Sequence, residues 1–100
     1  MNYHGIHIPR DAIALFCRRH SIRRMSLFGS ILRGDFHADS DVDVLVEFET
    51  GKMPGLAFFE MQDELSELLG RKVDLHTPGS LSRYFRDEVI AEAQVQYDAA

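Results

Sequence analysis

The stretch that decides the fold is Phe28–Phe48, FGSILRGDFHADSDVDVLVEF. Its second half, Val42–Phe48, is a run of mostly β-branched and apolar residues, which is typical of a buried strand. Asp41 and Asp43 stand at the entrance of that strand, two positions apart. Because side chains in a strand repeat with period two, both carboxylates are expected to leave from the same face.

A Gly-Ser turn precedes this strand. Gly29-Ser30 follows a second predicted strand, Ile22–Phe28, and a short helix is predicted over Ser30–Arg33. A turn at the end of one strand and an Asp-x-Asp at the start of the next can be brought together. The turn then offers backbone N–H groups and a hydroxyl to phosphates, beside carboxylates that suit a divalent metal.

A third acid, Asp74, stands in another short apolar run, Val73–His76, which predicts a third strand. An acid in an apolar setting is unfavourable unless it is paired or bound to a metal. If this strand lies beside Val42–Phe48, Asp74 completes a triad with Asp41 and Asp43. Three converging carboxylates without basic partners repel one another, and a bound divalent cation relieves that repulsion. Such a triad suits two-metal phosphoryl chemistry.

The remaining segments predict helices around these strands. Apolar residues at helical spacing predict helices over residues 9–20 and 56–69, the second ended by Gly70, and a last helix from Ser80 or Ser82 to Ala93. The alternation of helices with strands predicts an α/β (α+β) fold, in which helices pack against one small mixed β-sheet.

The two ends of the chain carry weaker patterns. Val95–Tyr97 is expected to dock as an extended tail, and Met1–Ile8 shows no strong pattern, so we expect it to be loosely ordered.

Composition limits the class of protein. The chain has 100 residues, and we expect one domain over residues 1–100. A net charge of −5 argues against a general nucleic-acid binder, and no apolar run approaches the length of a membrane span. The single cysteine, Cys17, suits a reducing compartment, so the expected location is cytoplasmic.

The motifs together resemble a known family. Gly29-Ser30, Arg33-Gly34, Ser40-Asp41-x-Asp43 and Val73-Asp74-Leu75 followed by Thr77-Pro78 resemble the minimal nucleotidyltransferases of the DNA polymerase β-like superfamily. The resemblance implies the polymerase β-like nucleotidyltransferase fold. It also implies that Asp41, Asp43 and Asp74 are the catalytic carboxylates and hold two Mg²⁺ ions.

The same resemblance implies a nucleotide site and a partner. Gly29 and Ser30 would hold the β- and γ-phosphates of ATP, with Arg33 and Ser40 as further nucleotide-binding residues. Family members are often antitoxins paired with helical HEPN toxins, and can transfer AMP from ATP to a tyrosine of the toxin. Two alternatives stay open: a non-catalytic antitoxin that masks its partner, and a nucleotidyltransferase that acts on a small molecule.

Overall fold

The computed structural model describes residues 2–99. Within that range the chain forms six strands and three α-helices, joined in part by 3-10 turns at residues 29–32 and 78–80. In chain order they are β1 (Asn2–Tyr3), β2 (Ile6–His7), α1 (Arg10–Arg19), β3 (Ile22–Phe28), β4 (Val42–Phe48), α2 (Ala57–Leu69), β5 (Val73–His76), α3 (Arg86–Glu92) and β6 (Gln94–Asp98).

A four-stranded mixed sheet with the order β5-β4-β3-β6 forms the centre of the molecule. β4 runs parallel to β5, and β3 runs antiparallel to both β4 and β6. Helix α2 makes the crossover from β4 to β5, as a parallel pair requires. The predicted mixed sheet with packed helices is therefore confirmed.

One face of the sheet builds the core. Val42, Val44 and Val46 of β4 alternate onto this face and are fully buried. Helices α1 and α2 cover it with the apolar side chains that their periodicity predicted, namely Ile13, Phe16, Cys17, Met61, Leu65 and Leu69. The intervening β4 residues, Asp43 among them, are therefore turned to the opposite face.

The outer edge of β5 is bonded to α2. The Leu75 N–H donates to Gln62 Oε1 at 2.9 Å, and the Val73 N–H donates to Ser66 Oγ at 3.0 Å. These bonds satisfy backbone donors that an edge strand would otherwise leave open. They also fix β5, and with it Asp74, against the helix layer.

The structure corrects the sequence expectation at one end of the chain and confirms it at the other. Residues 2–8 are ordered, because β1 and β2 form a small antiparallel hairpin and Ile6 and Ile8 are buried; Met1 lies outside the described residues. Two-residue strands are too short to show a period, so this hairpin left no pattern to detect. The expectation that Val95–Tyr97 docks as an extended tail is confirmed, since it lies in β6, which pairs with β3 and forms the second edge of the sheet.

The last helix is shorter than predicted. α3 begins at Arg86 rather than at Ser80 or Ser82, and all its residues are partly or fully exposed. Arg86 itself holds the preceding segment in a loop, since Nε donates to the Pro78 carbonyl at 2.7 Å and Nη2 donates to the Leu81 carbonyl at 3.0 Å. The start of the predicted helix was therefore wrong.

Cys17 is fully buried on α1, and burial raises the pKa of its thiol to about 12 despite the opposing charge of Arg18. Among residues 2–99, no helix is long and apolar enough to cross a membrane. The cytoplasmic location stays a prediction.

Candidate active site

Two of the three predicted carboxylates lie side by side. Asp43 is the second residue of β4 and Asp74 the second residue of β5, and the parallel register pairs them directly. Asp43, Asp74 and His76 each offer a ligand atom, and these atoms all lie within 4.8 Å of one another. The condition set by the sequence, that the third strand lie beside β4, is met.

The Gly-Ser turn packs directly against this pair. Phe28, the last residue of β3, pairs with Asp43, so Gly29 begins its turn beside the carboxylate. Gly29 has a φ of +78°, and a Cβ at this position would fall 2.3 Å from Asp43 Oδ2. Only glycine can therefore bring the backbone of this turn so close to the carboxylate. Ser30 follows it and is half-buried.

Asp41 lies just outside the cluster of three. It precedes β4, and its Oδ2 lies 3.9 Å from Nζ of the exposed Lys72. The sequence had suggested carboxylates without basic partners. In the structure two of them have basic neighbours, because Lys72 lies beside Asp41 and His76 beside Asp74.

The loop that carries Asp41 is tied down by one arginine. Arg71 Nη2 donates to the carbonyls of His37, Ala38 and Ser40, at 3.1, 3.1 and 2.9 Å. Its guanidinium also lies over the ring of Phe36, 4.9 Å from the ring centre. The Ser40 hydroxyl accepts a bond from the His37 N–H at 3.0 Å, so this predicted nucleotide-binding side chain is engaged in holding the loop.

Arg33 lies at the mouth of a cleft beside the Gly-Ser turn. Its side chain is exposed and pairs with Asp35, with Nε 3.4 Å from Oδ1. Together with Gly29 it lines a cavity of about 360 Å³, whose other walls are Phe28, Phe85, Glu88, Val89 and Glu92. A long, exposed cation at this position can reach a phosphate bound at the turn.

The electrostatics of the site favour a bound cation. Burial raises the pKa of Asp43 above its usual 3.8, and the charges of Asp74 and Asp41 raise it further, while His76 and Arg33 lower it. The folded protein thus holds Asp43 where its negative charge is poorly solvated and is repelled by two others. A divalent cation would relieve both effects, and carboxylate oxygens are its preferred ligands.

Sequence reasoning missed His76. Its Nε2 lies 3.0 Å from Asp74 Oδ2 and 3.9 Å from Asp43 Oδ1, and its ring packs edge-on to Phe28. The signal was present, because His76 follows Asp74 by two residues on a predicted strand and must share its face. The site as a whole thus brings together hydrogen-bond donors that suit a phosphate, clustered carboxylates and an imidazole. Such an arrangement is able to transfer a phosphoryl or nucleotidyl group.

Comparison with known proteins agrees with this chemistry. A profile of the nucleotidyltransferase domain family matches residues 10–96. A protein from Methanocaldococcus jannaschii, provisionally named a protein adenylyltransferase, is 39% identical over 86 residues, which are 86% of this chain and 90% of that protein. The protein adenylyltransferase MntA of Thermococcus cleftensis is 41% identical over 75 residues, 74% of each chain.

Solved structures show the same fold. A structure provisionally described as a minimal nucleotidyltransferase superposes with a TM-score of 0.70 at 38% identity, over 84% of this chain and 85% of that one. A chain from the complex of a tri-AMPylated Shewanella oneidensis HEPN toxin with an MNT antitoxin superposes with a TM-score of 0.64 at 22% identity, over 89% and 69% of the two chains. The resemblance found in the sequence is thereby confirmed: the chain belongs to the nucleotidyltransferase domain family, as a minimal nucleotidyltransferase whose curated relatives are named protein adenylyltransferases.

Proposed function

We propose that this chain is the antitoxin of a HEPN toxin–antitoxin pair and silences its partner by transferring AMP from ATP to a tyrosine hydroxyl. The observation that carries the proposal is the contact of Gly29 with Asp43, which is itself in register with Asp74. This contact brings the Gly-Ser turn, to which we assign the phosphates, against a carboxylate pair in a chain whose relatives are named protein adenylyltransferases. The partner is inferred from the HEPN–MNT complex of the same fold.

In this proposal each part of the site has one role. The backbone N–H groups and the hydroxyl of Gly29-Ser30 hold the β- and γ-phosphates, with Arg33 as a further contact. Asp41, Asp43 and Asp74 would hold Mg²⁺, which would neutralise charge on the phosphates and on the leaving pyrophosphate. Ser40 supports the Asp41 loop from beside the nucleotide.

The reaction is an in-line displacement. The acceptor hydroxyl gives up its proton to solvent, and its oxygen forms a bond to the α-phosphorus while the bond from that phosphorus to the pyrophosphate breaks. The fixed backbone around Asp43 contributes by positioning, since Gly29 and the β4–β5 register hold the phosphate turn and the carboxylates in one rigid unit.

The experiment that tests this function separates chemistry from masking. The wild-type chain and Asp43→Asn are each co-expressed with the HEPN partner, and cell growth and recovery of the complex are both measured. We expect Asp43→Asn to lose protection while the complex still assembles. Protection that survives the substitution would favour the masking alternative. A wild-type chain that neither binds the HEPN partner nor protects the cells, but transfers AMP to a small molecule, would favour the small-molecule nucleotidyltransferase.

A further inference from the structure

An apolar pocket lies between β5 and the start of α2, next to the carboxylate pair. It has a volume of about 510 Å³, and apolar groups from the loop before α2, from the first turn of α2 and from β5 form most of its wall. The main lining residues are Met53, Pro54, Phe58, Phe59, Leu75 and His76. Its size is within the usual range for ligand sites.

The pocket adjoins the active site at His76. This residue lines the pocket, and its Nε2 is also 3.0 Å from Asp74 Oδ2. A group bound in this pocket can therefore extend past His76 toward Asp74. The pocket and the carboxylate pair share a wall.

The order of the strands decides which reactant comes from this side. Gly29 follows β3 and Asp74 lies on β5, so the two flank Asp43 of β4 from opposite sides. In the proposed function the pyrophosphate leaves from the Gly29 side. Because attacking and leaving oxygens are in line across the α-phosphorus, the acceptor oxygen must approach from the β5 side.

The segment that forms one wall of the pocket carries large exposed apolar side chains. Met53 and Phe59 are each 66% exposed, and Leu56 between them is 86% exposed. Phe58 packs against Phe48 and ties the same segment to the core. Large exposed apolar side chains on a fixed base are typical of interface anchors.

We propose that this pocket, the acceptor pocket, seats the apolar segment of the partner protein that carries the acceptor hydroxyl. The inference rests on the proposed function and names the surface by which that function selects a protein substrate. Phe59 and Met53 make apolar contacts with the segment, and its hydroxyl extends past His76 to the α-phosphorus. Adenine is the competing occupant, and it is disfavoured because the pocket lies on the side from which the acceptor must attack.

The test measures AMP transfer to the HEPN partner at varied partner concentration, together with the Kd for AMP-PNP. We expect Phe59→Ser and Met53→Ser each to lower kcat/KM for the partner at least tenfold, with the Kd for AMP-PNP unchanged within twofold. Phe59→Leu, which keeps an apolar group, should restore most of the rate. Leu15→Ser, on a residue 58% exposed on α1, is the matched control and should change neither quantity.

Each other result overturns the inference. Unchanged transfer by Phe59→Ser and Met53→Ser means that the acceptor binds elsewhere, and weaker AMP-PNP binding means that the pocket takes the base. A wild-type chain that transfers no AMP to the partner defeats the proposed function, and the acceptor pocket with it. Thermal melting of each variant separates these results from unfolding.

Discussion

Gly29 and Asp43 are in such close contact that a single added carbon on Gly29 would fall 2.3 Å from the Asp43 carboxylate. The contact joins the end of β3 to the start of β4, which are also paired in register through Phe28. A site that must hold phosphates beside metal-binding carboxylates needs this closeness, and glycine alone permits it.

Replacing Gly29 by alanine should therefore damage both stability and activity. Gly29→Ala meets a positive φ, which costs about 1–2 kcal/mol for a residue with a side chain, and it also displaces Asp43. We expect AMP transfer to fall by about 100-fold, as for a misplacement of about 1 Å at a reacting centre. Urea unfolding and initial transfer rates measure the two effects.

Gly70→Ala is the matched control, because Gly70 also has a positive φ, of +68°, but open space where its Cβ would lie. It should show the backbone cost alone, with transfer close to the wild-type rate. Equal loss of activity in the two variants would mean that the Gly29–Asp43 contact has no special role.

Asp43 should destabilise the metal-free protein. Burial and the neighbouring Asp74 raise its pKa, so the ionised form is disfavoured in the folded state. The contribution of Asp43 to the free energy of unfolding is therefore most favourable below its usual pKa, and it is lost as the pH rises through the raised pKa. Asp43→Asn removes this cost, so at pH 7 in EDTA the variant should melt at a higher temperature than the wild type.

Magnesium should reverse the order of the two melting temperatures, so that the wild type melts above Asp43→Asn. A cation that binds only the folded state raises its melting temperature, and Asp43→Asn loses much of this gain. Thermal melts at pH 7 with and without Mg²⁺, repeated at lower pH in EDTA, measure both effects. An advantage of Asp43→Asn in EDTA that stays constant as the pH falls would contradict the electrostatic cause.

Arg71 should act as a positioning residue for Asp41. Arg71→Met keeps an apolar stem over Phe36 but removes the guanidinium bonds to three loop carbonyls, of which that of His37 still accepts from the Ser40 N–H. We expect a loss of about 1 kcal/mol in the free energy of unfolding, because these carbonyls are exposed or half-buried and water can replace the lost donor, and a higher Mg²⁺ concentration for half-maximal transfer. Arg83→Met, at an exposed arginine beside Tyr84, is the control. A wild-type Mg²⁺ dependence in Arg71→Met would show that Arg71 does not position the loop that carries Asp41.

Cys17 should be inert in the native protein. Its thiol is fully buried with a pKa near 12, so almost no thiolate forms at pH 8. A thiol reagent should therefore label it only after unfolding in urea. Rapid labelling in buffer would mean that α1 opens readily from the sheet.

The parts of the fold with strong local patterns could be predicted from the sequence. Strands β3, β4 and β5 have the predicted bounds, because each is a short apolar run closed by a turn. Helix α2 also ends as predicted, since Gly70 takes the left-handed conformation. A local sequence pattern does not reveal which strands pair or in what register. The sequence could therefore predict the pairing of Asp43 with Asp74 only on the assumption that their strands are neighbours.

The features that the sequence did not predict depend on particular side-chain contacts. α3 begins late because Arg86 bonds two carbonyls of the preceding loop, which is a contact that helical periodicity does not encode. His76 was overlooked although the strand period places it on the face of Asp74. The partners of Ser40 and Lys72 depend on how the loop before β4 folds back, and no spacing in the sequence predicts that.

The most direct test of the central claim is the intact mass of the HEPN partner after incubation with this chain, ATP and Mg²⁺. The account predicts a gain of one or more AMP units, absent when Asp41→Asn/Asp43→Asn replaces the wild type. No gain with the wild type, under conditions in which the two proteins form a stable complex, would contradict it.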